Sequence, residues 1–134
     1  MNRISGKINR VEIKDEILLL EIDTKIGTIF TLVIETPKFI NYIREDKESI
    51  NVYLVFSKTE VLIAKTIDED LLNVFKCKVL TIESGILLSK LLLEKNGVFI
   101  ESLMLTKELK KLRVKAGDEV LCRINPLSIL IEVN

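Results

Sequence analysis

Phe56-Ser57-Lys58-Thr59-Glu60-Val61-Leu62-Ile63 closes the first half of this sequence, and Ile124-Asn125-Pro126-Leu127-Ser128-Ile129-Leu130-Ile131 closes the second, 68 positions later. Each segment runs from an apolar residue through a polar turn into a short apolar run. Working outward, Gly6-Lys7-Ile8-Asn9-Arg10-Val11-Glu12-Ile13 near the start matches Cys77-Lys78-Val79-Leu80-Thr81-Ile82 at an offset of 71. Gly27 aligns with Gly97, and Thr36 with Thr106, both at an offset of 70. A small drift in offset is what differing loop lengths produce. The sequence is therefore one unit written twice, and repeats of this kind decide an architecture before any single element does.

Within each unit the local signals are mostly β. Ile17 to Ile22 and Thr28 to Ile34 are apolar, β-branched stretches joined by Asp23-Thr24-Lys25-Ile26-Gly27, which reads as a hairpin connection. The second unit repeats the pattern with Ile86 to Leu93, a turn at Lys95-Asn96-Gly97, and Val98 to Leu105. A short helical piece follows. In unit two it is Thr106-Lys107-Glu108-Leu109-Lys110-Lys111-Leu112, with Thr106 placed as N-cap and leucines spaced by three. In unit one Thr36-Pro37-Lys38-Phe39-Ile40-Asn41-Tyr42-Ile43 fills the slot, with Pro37 at the favoured first helical position. Charged turns, Glu45-Asp46-Lys47-Glu48-Ser49 and Lys115-Ala116-Gly117-Asp118, lead to the last strands. Five strands and one helical turn per unit predict an all-β protein of two tandem OB-like five-stranded barrels. The expected boundaries are 1–66 for the first, 67–74 for a linker and 75–134 for the second. A unit this small buries only about 60% of its unfolded surface, so packing against its twin and against a second chain is expected.

Composition narrows the function. Twenty Lys and Arg balance twenty Asp and Glu, giving zero net charge. A general nucleic-acid binder shows a basic excess instead. The local basic cluster Lys110, Lys111, Arg113 and Lys115 reads as an exposed helix face. The strand aromatics Phe30, Phe56 and Phe99 read as core rather than as a base-stacking platform. There is no His, hence no easy general base near neutral pH and no commonest metal ligand. Two cysteines, Cys77 and Cys122, are too few and too far apart for a zinc cluster and read as reduced, buried small hydrophobes. No nucleophile–base pair or phosphate loop can be assembled, so no catalysis is predicted. The N-terminus lacks the order of a signal peptide, and no apolar run approaches a membrane span. A cytoplasmic protein without membrane insertion is expected.

At this point the sequence resembles the tandem Mop, or TOBE, molbindin-like family of molybdate-binding proteins. Members open with Arg-Asn-x-Leu-x-Gly-x-Val, continue through Leu-Gly-Leu-x-x-Gly-Asp-Glu-Val and close with Ile-Lys-Ala-Thr-Ser-Val-Met-Ile-Ala. Here Asn2-Arg3-Ile4-Ser5-Gly6-Lys7-Ile8 opens unit one and Thr59-Glu60-Val61-Leu62-Ile63-Ala64-Lys65 closes it. Unit two has Asn73-Val74-Phe75-Lys76-Cys77-Lys78-Val79, then Leu112-Arg113-Val114-Lys115-Ala116-Gly117-Asp118-Glu119-Val120, then Ser128-Ile129-Leu130-Ile131. The resemblance implies paired barrels that assemble into homo-oligomers, dimers or trimers. It implies a small oxyanion ligand, molybdate or tungstate, held between barrels, and a role in molybdenum homeostasis, sensing or transport beside molybdate-transporter components.

A tetrahedral dianion needs convergent N–H and O–H donors helped by cations. The family supplies an Arg and Asn on the first strand, and a Lys with Ser or Thr before the last. Residue by residue, the Asn is kept at Asn2 and Asn73. The Arg falls on Met1 and Leu72, with Arg3 as a neighbour. The Lys falls on Ser57 and Asn125, with Lys58 one position away. The Thr is kept at Thr59 and becomes Leu127; the following Ser becomes Glu60 and stays Ser128. The implied oxyanion-binding set is Asn2, Arg3, Ser57, Lys58, Thr59, Asn73, Asn125 and Ser128. Strand alternation would send Ser57 and Lys58 to opposite faces. Micromolar affinity needs about 8 kcal/mol, and a charged hydrogen bond contributes roughly 1.5–3 kcal/mol, so losing two cations matters. The alternative reading is a ligand-free assembly module that regulates a transporter or another partner by contact.

Overall fold

The structure, a computed structural model, describes residues 1–34, 41 and 50–133. The helical piece expected over 36–43 lies, apart from residue 41, outside the described residues, as does the charged turn at 45–49. The first half contributes β1 (Asn2–Lys14), β2 (Ile17–Thr24), β3 (Gly27–Ile34), β4 (Ile50–Phe56) and, after a single 3-10 turn at Lys58–Glu60, β5 (Val61–Ala64). The second contributes β6 (Val74–Ser84), β7 (Leu88–Lys95), β8 (Val98–Leu105), helix α1 (Thr106–Leu112), β9 (Glu119–Ile124) and β10 (Leu130–Val133).

These strands make two antiparallel five-stranded sheets, ordered β10-β4-β1-β2-β3 and β5-β9-β6-β7-β8. The orders are the same once repeat-equivalent strands are matched. Each long first strand carries a register shift at the same place, between Ile8 and Arg10 in β1 and between Val79 and Thr81 in β6. Such a bulge bends a strand and increases its twist, which lets a small sheet curl over its own apolar face. In the second sheet the ends meet, since the Ser102 hydroxyl of β8 donates to the Val61 carbonyl of β5 at 2.8 Å. In the first, the Thr31 hydroxyl of β3 donates to the Pro126 carbonyl, in the turn that leads into β10, at 3.1 Å.

The fifth strand of each sheet comes from the other half. β5 pairs with β9, Val61 opposite Ile124, and β10 pairs with β4, Leu130 opposite Val55. The buried apolar residues, among them Leu18, Leu20, Ile22, Leu54, Phe56, Leu91, Leu93, Ile100 and Ile124, form one continuous cluster spanning both sheets. They fall on alternate strand positions, as Leu91 and Leu93 do along β7.

Several local expectations change. β7 begins at Leu88 rather than Ile86, because the Gly85 N–H donates to the Leu88 carbonyl at 2.9 Å and closes a tight turn. Ile86 and Leu87 therefore stand in solvent, at 95% and 77% exposure. Helix α1 spans the expected residues, but Thr106 is its first helical residue and not its N-cap. The Thr106 hydroxyl is buried instead, bonded to Ser89 at 2.8 Å and to the Gly85 carbonyl at 2.9 Å. Phe56 is core, whereas Phe99 is 60% exposed because it faces outward next to the buried Ile100 on β8. Cys77 and Cys122 are buried and unbridged on the paired strands β6 and β9, their sulfurs 2.8 Å apart.

Candidate functional site

Two junctions join the halves, and the repeat makes them equivalent. At the first, the side-chain amide of Asn2 adds itself to the free edge of β8. Its Nδ2 donates to the Glu101 carbonyl at 2.8 Å, and its Oδ1 accepts the Glu101 N–H at 2.8 Å. At the second, Asn73 does the same to β3. Its Oδ1 accepts the Phe30 N–H at 2.7 Å, and its Nδ2 donates to the carbonyls of Phe30 at 2.8 Å and Ile124 at 3.0 Å. Both asparagines are buried. An edge strand offers unpaired N–H and C=O groups, and a primary amide satisfies one of each.

A polar turn sits beside each clamp. The Ser57 hydroxyl accepts the Thr59 N–H at 3.3 Å, and the Glu60 N–H donates to the Ser57 carbonyl at 3.0 Å. In the second turn the Asn125 Oδ1 accepts the Leu127 N–H at 3.0 Å, and the Ser128 N–H donates to the Asn125 carbonyl at 3.1 Å. Small oxygen-bearing residues belong where the side chain must cap its own turn. The two turns touch, the Asn125 Nδ2 lying 3.5 Å from the Glu60 carboxylate.

The junctions differ in charge. At the first, the Lys58 ammonium lies 3.2 Å from Glu101 Oε2, and Lys90 of β7 lies 3.4 Å from the same oxygen. Lys90 also meets Glu83 of β6 at 3.4 Å. The Lys58 ammonium is the main reason the Glu101 carboxyl is held below its ordinary pKa, and burial opposes it. Glu83 is the main reason the Lys90 ammonium is held above its own. At the second junction the repeat-equivalent residues of Glu101, Lys90 and Lys58 are Phe30, Leu19 and Pro126. The cations are present at one junction and replaced by apolar groups at the other.

Of the residues marked in the sequence, Asn2, Ser57, Lys58 and Thr59 gather at the first junction, and Asn73, Asn125 and Ser128 at the second. Arg3 stands elsewhere, on the outer side of β1, 4.0 Å above the Tyr53 ring and 3.1 Å from Glu132 of β10. Lys58 is not turned away as strand alternation predicts, because residues 58–60 form a 3-10 turn in which the period of two does not hold. Lys90 and Glu101 went unmarked. Their signal was in the sequence, since a two-residue turn at Asn96-Gly97 fixes the register that sets them diagonally across the hairpin.

A cleft of about 490 Å³ opens next to the turns, lined by Thr59, Glu60, Leu62, Leu105, Arg123 and Asn125 among others. Two carboxylates, Glu60 and Glu108, against one guanidinium make it a poor cradle for a dianion. Among the described residues no group of three or more His, Cys, Asp or Glu is placed to hold a metal ion, and no helix is long and apolar enough to cross a membrane.

No protein-family model matches this chain, and no curated protein does. Among solved structures it is similar to the cytoplasmic molybdate-binding protein ModG, in a crystal form with molybdate bound, at a TM-score of 0.83 and 18% identity. The superposition covers 99% of this chain and 96% of that one. Across essentially its whole length, the chain has the fold of that molybdate-binding protein.

Proposed function

We propose that this chain is a cytoplasmic oxyanion-binding protein, taking molybdate or tungstate in molybdenum homeostasis, sensing or transport. The observation that carries this reading is the match in fold, over 99% of the chain, to a protein crystallised with molybdate. We read the two curled sheets as tandem OB-like barrels. The first junction supplies the chemistry: two ammonium groups at Lys58 and Lys90, the hydroxyls of Ser57 and Thr59, and the backbone of a tight turn. These are N–H and O–H donors of the kind a tetrahedral dianion needs. The role in this reading is binding rather than catalysis, in keeping with the molybdate-binding protein whose fold it shares.

The reading includes a homo-oligomer, dimer or trimer. Ile17, Ile34 and Leu130 are exposed apolar residues in the first sheet, and Leu88, Leu105 and Leu62 occupy the repeat-equivalent positions in the second. An apolar set written twice on an outer surface is what a repeated subunit contact uses. Components of a molybdate transporter are the protein partners this function suggests.

Thermal unfolding with molybdate, tungstate and sulfate tests the proposal. Ligand at 100 times its dissociation constant stabilises by about 2.7 kcal/mol. The expected result is a shift with molybdate or tungstate and a smaller one with sulfate. No shift from either at millimolar concentration sinks the reading and favours an assembly module acting by contact.

A further inference from the structure

We infer that the Glu101 carboxylate is a tethered competitor for the anion: it occupies the Lys58–Lys90 ammonium pair that an incoming oxyanion would use. The inference rests on the oxyanion reading above and adds to it a means by which the chain sets its own affinity.

The geometry is specific. A single oxygen, Glu101 Oε2, bridges both ammonium groups, at 3.2 Å from Lys58 and 3.4 Å from Lys90. The lysines reach it from different parts of the fold, Lys58 from the 3-10 turn of the first half and Lys90 from the second strand of the second half. In this inference one oxygen of the incoming dianion is set where this carboxylate oxygen lies, while Lys90 keeps its second partner, Glu83, at 3.4 Å. The carboxylate oxygen is sequestered from solvent, and the two ammonium groups are its partners. The backbone of Glu101 is pinned independently through its two hydrogen bonds to Asn2. The side chain is therefore free to leave without loss of the strand edge.

The repeat supplies an internal comparison. The second junction keeps the same asparagine clamp and the same capped turn, but has Phe30, Leu19 and Pro126 in place of Glu101, Lys90 and Lys58. The clamp and turn are common to both junctions, and the charges are particular to the first. Carboxylate and lysines also stand or fall as a set, as competitor and site should.

The strength of such a competitor follows from tethering, which presents it at an effective concentration of about millimolar. Displacing it costs the incoming anion roughly tenfold in affinity, equivalent to ~1.4 kcal/mol.

Isothermal titration with sodium molybdate, on the full chain, tests this with Glu101→Gln, Glu101→Ser and the double variant Lys58→Gln/Lys90→Gln. Unfolding midpoints in urea confirm that each variant is folded. The inference expects both Glu101 variants to bind molybdate about tenfold tighter than the parent chain, and the double lysine variant to lose binding. If the parent binds and the Glu101 variants bind equally or more weakly, the competitor role is overturned while the oxyanion reading stands. Tightening that survives in a triple variant lacking both lysines places the anion elsewhere and also overturns it. If neither the parent nor the Glu101 variants bind, the oxyanion reading falls and takes this inference with it.

Discussion

Asn73 makes three hydrogen bonds with one side-chain amide, to Phe30 N–H, Phe30 O and Ile124 O, and its backbone sits at φ 61°. Asn tolerates that left-handed conformation better than most residues. Removing the amide strands buried backbone groups, at about 1–3 kcal/mol for each group left unpaired. Asn73→Ala should therefore destabilise by about 2–4 kcal/mol, and Asn2→Ala, with two bonds, by about 1–3 kcal/mol, read from urea unfolding. Equal and negligible costs would show that the clamps contribute nothing. Glu101 makes a pH prediction. Its folded pKa is depressed, so its ion pairs contribute above the ordinary carboxylate value of about 4.3 and are lost as pH falls through the lower folded value. The stability difference between the parent chain and Glu101→Gln should accordingly be present at pH 7 and vanish in strong acid. The sequence showed that these residues exist, but not their partners from the other half. Asn2 and Glu101 lie 99 positions apart, and only the folded chain brings them together.

At the scale of elements, strand positions were legible because apolar β-branched runs alternate and turn residues punctuate them. The Asn96-Gly97 connection is the clearest case, with φ of 50° and 81°, the left-handed pair that a two-residue hairpin requires. Gly97→Ala should cost about 1–2 kcal/mol from that backbone alone, since nothing lies within 4 Å of the added carbon. Gly6 is a different case. A Cβ there would meet Ile22 Cγ2 at 2.6 Å and the Asp23 carbonyl at 2.9 Å, where β1 passes close to β2. Gly6→Ala should exceed the Gly97→Ala loss in a thermal melt; the reverse order would refute the steric account. The start of β7 and the role of Thr106 were not legible. Ile86 and Leu87 are as apolar as the strand that follows them, and what excludes them is one hydrogen bond, from Gly85 to Leu88.

For the whole molecule, the exchange of β5 and β10 ties the halves into one cooperative unit. Each sheet lacks its fifth strand when its partner half is absent. Residues 1–66 and 67–134, expressed separately, should each show weak and broad unfolding by circular dichroism. Mixed, they should recover a single sharp transition whose midpoint rises with concentration, as mass action requires. Two halves that melt sharply and independently, unchanged on mixing, would contradict this.

The sequence by itself determined the β character, the twofold repeat and most strand boundaries, because alternation, turn chemistry and propensity act over a few residues. The resemblance carried by its motifs pointed to the right fold. Tertiary structure alone decided that the closing strands cross between halves, that Asn2 and Asn73 act as surrogate backbone, and that Lys58 joins Glu101 across the halves. Those outcomes depend on contacts between residues dozens of positions apart. Such contacts are selected by how two curled sheets share one apolar core, a constraint that no local pattern records.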